Sequence, residues 1–262
     1  MTIRLGAFNH LVGQPLVHGL DRQPERFSIQ LDVPSKCATW LHEKAIDVGL
    51  IPSIEYLQSP KYRIVPGVAI SSDGVSASAT VFSPRPVAAI RSVAIDSGSR
   101  SSAALLRILC AQWFDIEPKL LALPPDLPTM LKRCDAALLI GDAALFTDHD
   151  ALGLERTDLG AEWTVMTGLP FVHAVWAGRS GSLSADDVRA LTEARDAGRA
   201  HGDDIARAWV GDDEEKAQRG SDYLRQNVSF ELGERERAGL LKFLEMAVEL
   251  RIAASPAQVQ FF

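Results

Sequence analysis

The sequence predicts an α/β protein of two domains, one of them discontinuous, with a ligand cleft between them. Three observations lead there. Short apolar segments alternate with helical ones along most of the chain, proline-marked stretches at Ser83-Pro84-Arg85-Pro86 and Gly168-Leu169-Pro170 interrupt that alternation twice, and the C-terminal part turns helical. A chain of 262 residues, 47% of them hydrophobic and 23% charged, is long enough to bury the cores of two such units. The expected division is residues 1–85 with 178–262 as the first domain and 86–177 as the second.

Ile3 to Phe8 reads as a first strand, and Asn9-His10-Leu11-Val12-Gly13-Gln14 as a polar turn before Pro15 opens a short helix ending at Gly19. Phe27 to Val33 alternates, with Ile29, Leu31 and Val33 on one side, and Pro34 starts a helix through about Lys44. Val48 to Ile51 is a short buried strand that ends at Pro52-Ser53-Ile54-Glu55-Tyr56. Tyr62 to Ile70 and Val75 to Phe82 read as extended, the second carrying Ser76 and Ser78 in alternation, with a turn at Ser71-Ser72-Asp73-Gly74.

Beyond the first proline stretch, Ser92 to Ile95, Lys119 to Leu123 and Asp135 to Ile140 are strands, separated by helices through Phe114 and over Pro125 to Lys132. Phe171 to Ala177 is the last apolar strand. Ser184 to Ala200 is a helix with a capping-box start (Ser184, Asp187), and Asp213 to Gln226 and Glu234 to Arg251 follow as helices.

The most informative stretch is Asp96-Ser97-Gly98-Ser99-Arg100-Ser101-Ser102, a small-residue turn between a buried strand and a helix. Unpaired N–H groups, the positive end of the helix dipole, serine hydroxyls and Arg100 suit such a junction to an anion, and its single glycine suits a carboxylate better than a pyrophosphate. Serine also caps helices with no ligand at all, and both readings stand at this stage. Ligands in α/β sheets lie at the C-terminal ends of strands. That rule adds Pro52 and Ser53, and Gly141 and Asp142, to Ser99, Arg100, Ser101 and Ser102 as candidate substrate contacts. Asp142 is also a natural cap for its own helix, Glu55 a first-turn helix residue, and Trp163 and Trp176 core residues.

Composition excludes several classes. A net charge of −7 without a Lys/Arg cluster argues against nucleic acid and anionic membranes. Cys37, Cys110 and Cys134 stand apart in apolar segments and read as reduced, cytoplasmic core residues, and Met1 to Gly6 has no signal-peptide pattern. The six histidines show no metal-binding spacing, and no Cys-x-x-Cys, Gly-x-Gly-x-x-Gly or Walker lysine occurs. Neither a metal nor a cofactor is expected, and the partner is a small molecule.

Several motifs in order resemble one family. They are Gly6 to Leu16 with Pro15-Leu16, Asp47 to Tyr56, Ser99 to Ser102, Leu139 to Leu145, Glu162-Trp163, Gly168 to Val172 with Trp176, and Leu232 to Glu236 with Gly239-Leu240. Together they resemble the chorismate dehydratases of the futalosine route to menaquinone, the MqnA-like proteins. The resemblance implies a type II periplasmic-binding-protein-like fold and a lyase that converts chorismate to 3-(1-carboxyvinyloxy)benzoate and water. It further implies that the Ser99–Ser102 turn holds a substrate carboxylate, and places Ser78 and Asn9 as the catalytic candidates. One position departs: family members carry Asn three residues before the proline of the first turn, where Val12 stands. The alternative function is a non-catalytic binding protein for a small aromatic or dicarboxylate ligand.

Overall fold

A computed structural model gives the architecture, and the structure describes residues 2–254 and 258–262. Its strands are β1 (Ile3–Phe8), β2 (Phe27–Asp32), β3 (Val48–Pro52), β4 (Tyr62–Ser72), β5 (Ala79–Ser83), β6 (Ser92–Asp96), β7 (Lys119–Leu123), β8 (Ala136–Ile140), β9 (Glu155–Asp158), β10 (Phe171–Arg179) and β11 (Ser229–Leu232). Its helices are α1 (Pro34–His42), α2 (Ser101–Gln112), α3 (Leu127–Arg133), α4 (Gly141–Leu145), α5 (Leu159–Thr167), α6 (Ala185–Ala200), α7 (Gly202–Val210), α8 (Glu214–Asp222) and α9 (Glu234–Glu249).

The strands form two sheets, ordered β11-β4-β10-β3-β1-β2 and β7-β6-β8-β5-β9. In the first, β1 pairs in parallel with β2 and β3; in the second, β6 pairs in parallel with β7 and β8. Such strands are covered on both faces, which is why β3 is buried at all five positions and β8 at its first four. The C-terminal ends of β1, β3, β6 and β8 all meet the same cleft, so the loops after them supply its wall.

The strand pairings move the expected boundaries. β5 lies in the second sheet, paired with β8 and β9, and β10 lies in the first, paired with β3 and β4. The chain therefore passes between sheets at residues 73–78 and 168–170, so the first crossing precedes the Ser83–Pro86 stretch, and residues 171–177 belong with the first sheet. The prolines after β5 end a strand without marking a change of sheet. Ser76 and Ser78, expected on a strand, lie in the crossing itself. Asp158 holds that segment, accepting from the Ser76 and Ala77 N–H groups at 2.9 and 2.7 Å while capping α5 through Ala161. Three N–H donors satisfy both oxygens of this buried side chain.

Local signals explain most helix starts. Pro34 occupies the first turn of α1, Asp126 accepts the Thr129 N–H at 3.0 Å to cap α3, and Ser184 and Asp187 cap α6 reciprocally. Pro15, expected to open a helix, instead sits inside a 3-10 segment, Leu11–Val17. A short 3-10 segment tolerates proline where an α-helix interior does not. At the second crossing Trp163, Phe171 and Phe243 pack edge to face, with centroids 4.9 to 6.1 Å apart, and tie α5, β10 and α9 together. Trp163 and Trp176 are fully buried core residues as expected.

Candidate functional site

Residues from the two sheets meet around a cavity walled by Phe8 at the end of β1 with His10 and Val12 beyond it, Pro52 at the end of β3, Ser99 to Ser102 after β6, Ile140 at the end of β8 with Gly141 beyond it, and Ser78 and His173 from the first crossing and β10. Of the sequence candidates, Pro52, Ser78, Ser99, Arg100, Ser101, Ser102 and Gly141 are on this wall. Asn9, Ser53 and Asp142 are not.

α2 presents its N-terminus to the cavity. Its N-cap residue, Arg100, makes no side-chain cap, and the N–H groups of Ser101, Ser102 and Ala103 donate no hydrogen bond within the described residues. The leading donors and the dipole therefore face the cleft. Ser99 adds a hydroxyl that is buried with no partner among the described residues. An orphaned hydroxyl costs about 1–3 kcal/mol unless a ligand satisfies it. Gly98 N–H donates to Asp96 Oδ1 at 2.8 Å, which fixes the turn, and burial pushes the Asp96 carboxyl upward.

Arg100 reaches the wall already paired. Its Nη1 lies 2.9 Å from Glu55 Oε2, and the same oxygen is 2.7 Å from His42 Nε2, whose Nδ1 is 2.6 Å from the Tyr62 hydroxyl. Glu55 is thus more than a first-turn helix residue: it is buried and neutralises the cleft's arginine. The donors that this junction turns to the cleft are then backbone N–H groups and hydroxyls more than a free cation.

Two other candidates join the sheets. Ser53, fully buried, donates to the Val172 carbonyl at 2.6 Å and lies 3.1 Å from Ser101 Oγ, which accepts the Ile54 N–H. Its hydroxyl is consumed behind Pro52. Asp142 accepts the Leu11 N–H through Oδ1 at 3.0 Å and the Trp209 indole N–H through Oδ2 at 2.8 Å. Both oxygens thus clasp elements of the first sheet's side. Asn9 is exposed, and its N–H is tied to the Asp32 carbonyl at 3.0 Å.

Ser78 stands differently. The Tyr223 hydroxyl donates to Ser78 Oγ at 2.8 Å, leaving the Ser78 proton free to point into the cleft. Burial pushes the Tyr223 phenol up, so it remains a donor.

Two histidines that the sequence reading passed over line the cavity. The β10–β4 ladder loses register between Val172 and Ala174, and a shift of this kind re-aims the intervening His173. His173 Nε2 lies 2.9 Å from Ser72 Oγ, and burial pulls the ring down to about 4. His10 packs over Gly141, where an added Cβ would fall 2.4 Å from His10 Nδ1. Burial lowers its pKa also, while Asp142 and Asp96 act in the opposite direction. His10 was legible by position, since it follows a parallel strand's C-terminal end; His173, inside a strand, carried no such mark.

Among the described residues no group of three or more His, Cys, Asp or Glu side chains is placed to hold a metal ion. The three cysteines are unbridged; burial pushes the Cys37 thiol up to about 12 and Cys110 to about 11. No helix among the described residues is long and apolar enough to cross a membrane.

A family model for menaquinone biosynthesis matches residues 3–249. The chain belongs to that family. Solved structures similar to it include a protein of Archaeoglobus fulgidus, 20% identical, with a TM-score of 0.77 over 96% of this chain and 98% of the other. The periplasmic aliphatic sulphonate binding protein SsuA of Escherichia coli is 15% identical, with a TM-score of 0.66 over 100% and 93% of the two chains. A Candida albicans gene product with the generic periplasmic binding protein fold is 12% identical, with a TM-score of 0.66 over 98% and 92%. The menaquinone family member thus has the periplasmic-binding-protein-like fold expected from its sequence, with its cleft between two sheets.

Proposed function

We propose that this member of the menaquinone biosynthesis family is a chorismate dehydratase. Loss of the C3 hydrogen and the C4 hydroxyl makes the ring of chorismate aromatic, so the product is strongly favoured and the protein's task is to bind, orient and move a proton. The observation that carries the reading is the pairing, across one cavity, of an anion cradle with a hydroxyl donor. The cradle is the α2 N-terminus with the unpartnered Ser99 hydroxyl, and the donor is Ser78 with its proton freed by Tyr223.

In this reading one substrate carboxylate accepts from the Ser101, Ser102 and Ala103 N–H groups and from Ser99. Ser78 donates to the departing hydroxyl, where negative charge develops. Arg100, balanced by Glu55, shapes the cradle without supplying a full unpaired charge. Asn9, Ser53 and Asp142 support the architecture and leave the substrate to others.

Val12 favours the second reading, a binding protein without catalysis. It is 6% exposed and on the cavity wall, so an amide at that position would face the ligand and valine offers it no hydrogen bond. Purified protein mixed with chorismate distinguishes the two. Formation of 3-(1-carboxyvinyloxy)benzoate is expected, and chorismate recovered intact alongside tight binding of another carboxylate refutes the dehydratase.

A further inference from the structure

Chorismate carries two carboxylates, and the α2 N-terminus accounts for one. Arg100, the cation on the cavity wall, is held by Glu55, while Phe8, Val12, Ile70 and Ile140 offer the second carboxylate no side-chain donor. An uncharged donor has to serve instead, and the wall holds two imidazoles. His10 lies against the carboxylates of Asp96 and Asp142, which oppose a further negative charge beside it. The carboxylate acting on His173 is Asp158, whose oxygens are already taken up by three N–H groups and the Ser76 hydroxyl.

The hydrogen bond behind His173 decides which of its nitrogens carries the proton. Ser72 is buried, and His173 Nε2, 2.9 Å from Ser72 Oγ, is its one side-chain partner among the described residues. If Nε2 carried the proton, the Ser72 hydroxyl would have no acceptor for its own, a cost that disappears when Ser72 donates to a bare Nε2. Burial keeps the ring neutral, so its single proton is on Nδ1. Nδ1 has no hydrogen-bond partner among the described residues, yet it is not one of the sealed, unpartnered side-chain atoms, which belong to Thr80, Ser99, Trp176 and Ser182. Its N–H therefore opens on the cavity that the residue lines.

We propose that His173 Nδ1–H donates to the second carboxylate of the substrate, the one on the enolpyruvyl ether, and so selects a dicarboxylate. The inference rests on the dehydratase reading. In chorismate the ring carboxylate lies across the ring from C4, and the ether is on the neighbouring C3. With the ring carboxylate at α2 and C4 at Ser78, the ether's carboxylate falls on the side of the cavity nearest the crossings, where Ser72 ends β4 and holds His173. The bond is charge-assisted through its acceptor, and no proton is transferred. Ser72 is the positioning residue, since it acts only through the ring.

The test is calorimetry on the wild type and His173→Phe with two ligands. One is 3-(1-carboxyvinyloxy)benzoate; the other is 3-methoxybenzoate, which keeps the ring carboxylate and the ether oxygen but lacks the second carboxylate. A hydrogen bond to a charged group is worth about tenfold or more in affinity, so His173→Phe should weaken the dicarboxylate by that factor and leave 3-methoxybenzoate within about threefold. Equal weakening of both ligands, as a structural role would give, or an unchanged affinity for the dicarboxylate overturns the role of His173. Turnover of chorismate by the wild type is read separately. Turnover with an unchanged dicarboxylate affinity in His173→Phe sinks the His173 contact alone, whereas selective weakening in a protein that never turns over chorismate sinks the dehydratase and keeps the contact. Nitrogen NMR of the wild type decides the matter if His173→Phe does not fold. The His173 ring should be protonated on Nδ1, with that resonance moved by the dicarboxylate and not by 3-methoxybenzoate, and a ring protonated on Nε2 overturns the proposal.

Discussion

Gly141 offers a way to disturb the site through a single added carbon. Its φ is +58°, and in that region an alanine costs about 1–2 kcal/mol. The added Cβ would lie 2.4 Å from His10 Nδ1, 2.8 Å from Cε1 and 2.9 Å from Cγ. Carbon contacts settle at about 3.5–4.0 Å, so the imidazole must retreat by roughly 1 Å. A misplacement of that size costs about 10²-fold in rate. Gly141→Ala should therefore lower kcat about a hundredfold. Its melting temperature should fall by only about 2–8 °C, at about 2–4 °C per kcal/mol for a chain of this size.

Gly198→Ala supplies the contrast. There the Cβ would meet the Pro15 carbonyl oxygen at 2.0 Å and Pro15 Cα at 2.5 Å, which are backbone atoms that cannot swing aside. That variant should lose more stability than Gly141→Ala, while the molecules that remain folded keep their kcat. Thermal melts and chorismate turnover on both proteins measure the difference. Full activity in Gly141→Ala with an unchanged melting temperature would refute the packing of His10 on Gly141.

Ser99→Ala removes a buried hydroxyl that has no partner among the described residues. Its melting temperature without ligand should equal or exceed the wild type's, while product binding weakens about tenfold or more, the worth of a hydrogen bond to a charged group; calorimetry showing unchanged affinity would remove Ser99 from the cradle. His173 is held neutral by burial, at about 4 against 6.5 in the unfolded chain. Between those values the unfolded chain takes up the proton first, so stability falls as pH falls through this window, by at most about 3 kcal/mol. Denaturant melts from pH 7 to 4 should show a shallower loss for His173→Gln, and parallel curves would contradict the burial of a neutral ring.

The parts of this molecule that were legible in the sequence are those fixed locally. The strand–turn–helix junction at Asp96–Ser102, the parallel strands with their apolar runs, the Ser184–Asp187 cap and the buried tryptophans all carry their signals within a few residues. What depended on distant partners was not. Sheet membership of β5 and β10 is decided by pairing with β8 and β9 and with β3 and β4, and no residue of Ser83–Pro86 encodes it. Asp142 looked like a cap because helix starts favour aspartate; its bonds to Leu11 and Trp209 come from residues 131 and 67 positions away. Arg100 looked like free charge because Glu55, its partner, lies on another element. Glu155–Asp158 and α5 went unread for a similar reason, since Asp158 shows its purpose only when Ser76 and Ala77 are brought to it.

The site itself divides along the same line. Position after a strand end made Ser99, Arg100, Gly141 and Pro52 legible, and the same rule, carried one residue beyond Asn9, reaches His10. Asn9 faces solvent while His10 turns inward.

The most direct measurement is a crystal structure of the protein with 3-(1-carboxyvinyloxy)benzoate bound. One carboxylate should lie within hydrogen-bond distance of the Ser102 N–H and Ser99 Oγ, with ring carbon 4 beside Ser78. A product molecule seated outside this cavity, or one whose carboxylates avoid the α2 N-terminus, would contradict the assignment of the cleft.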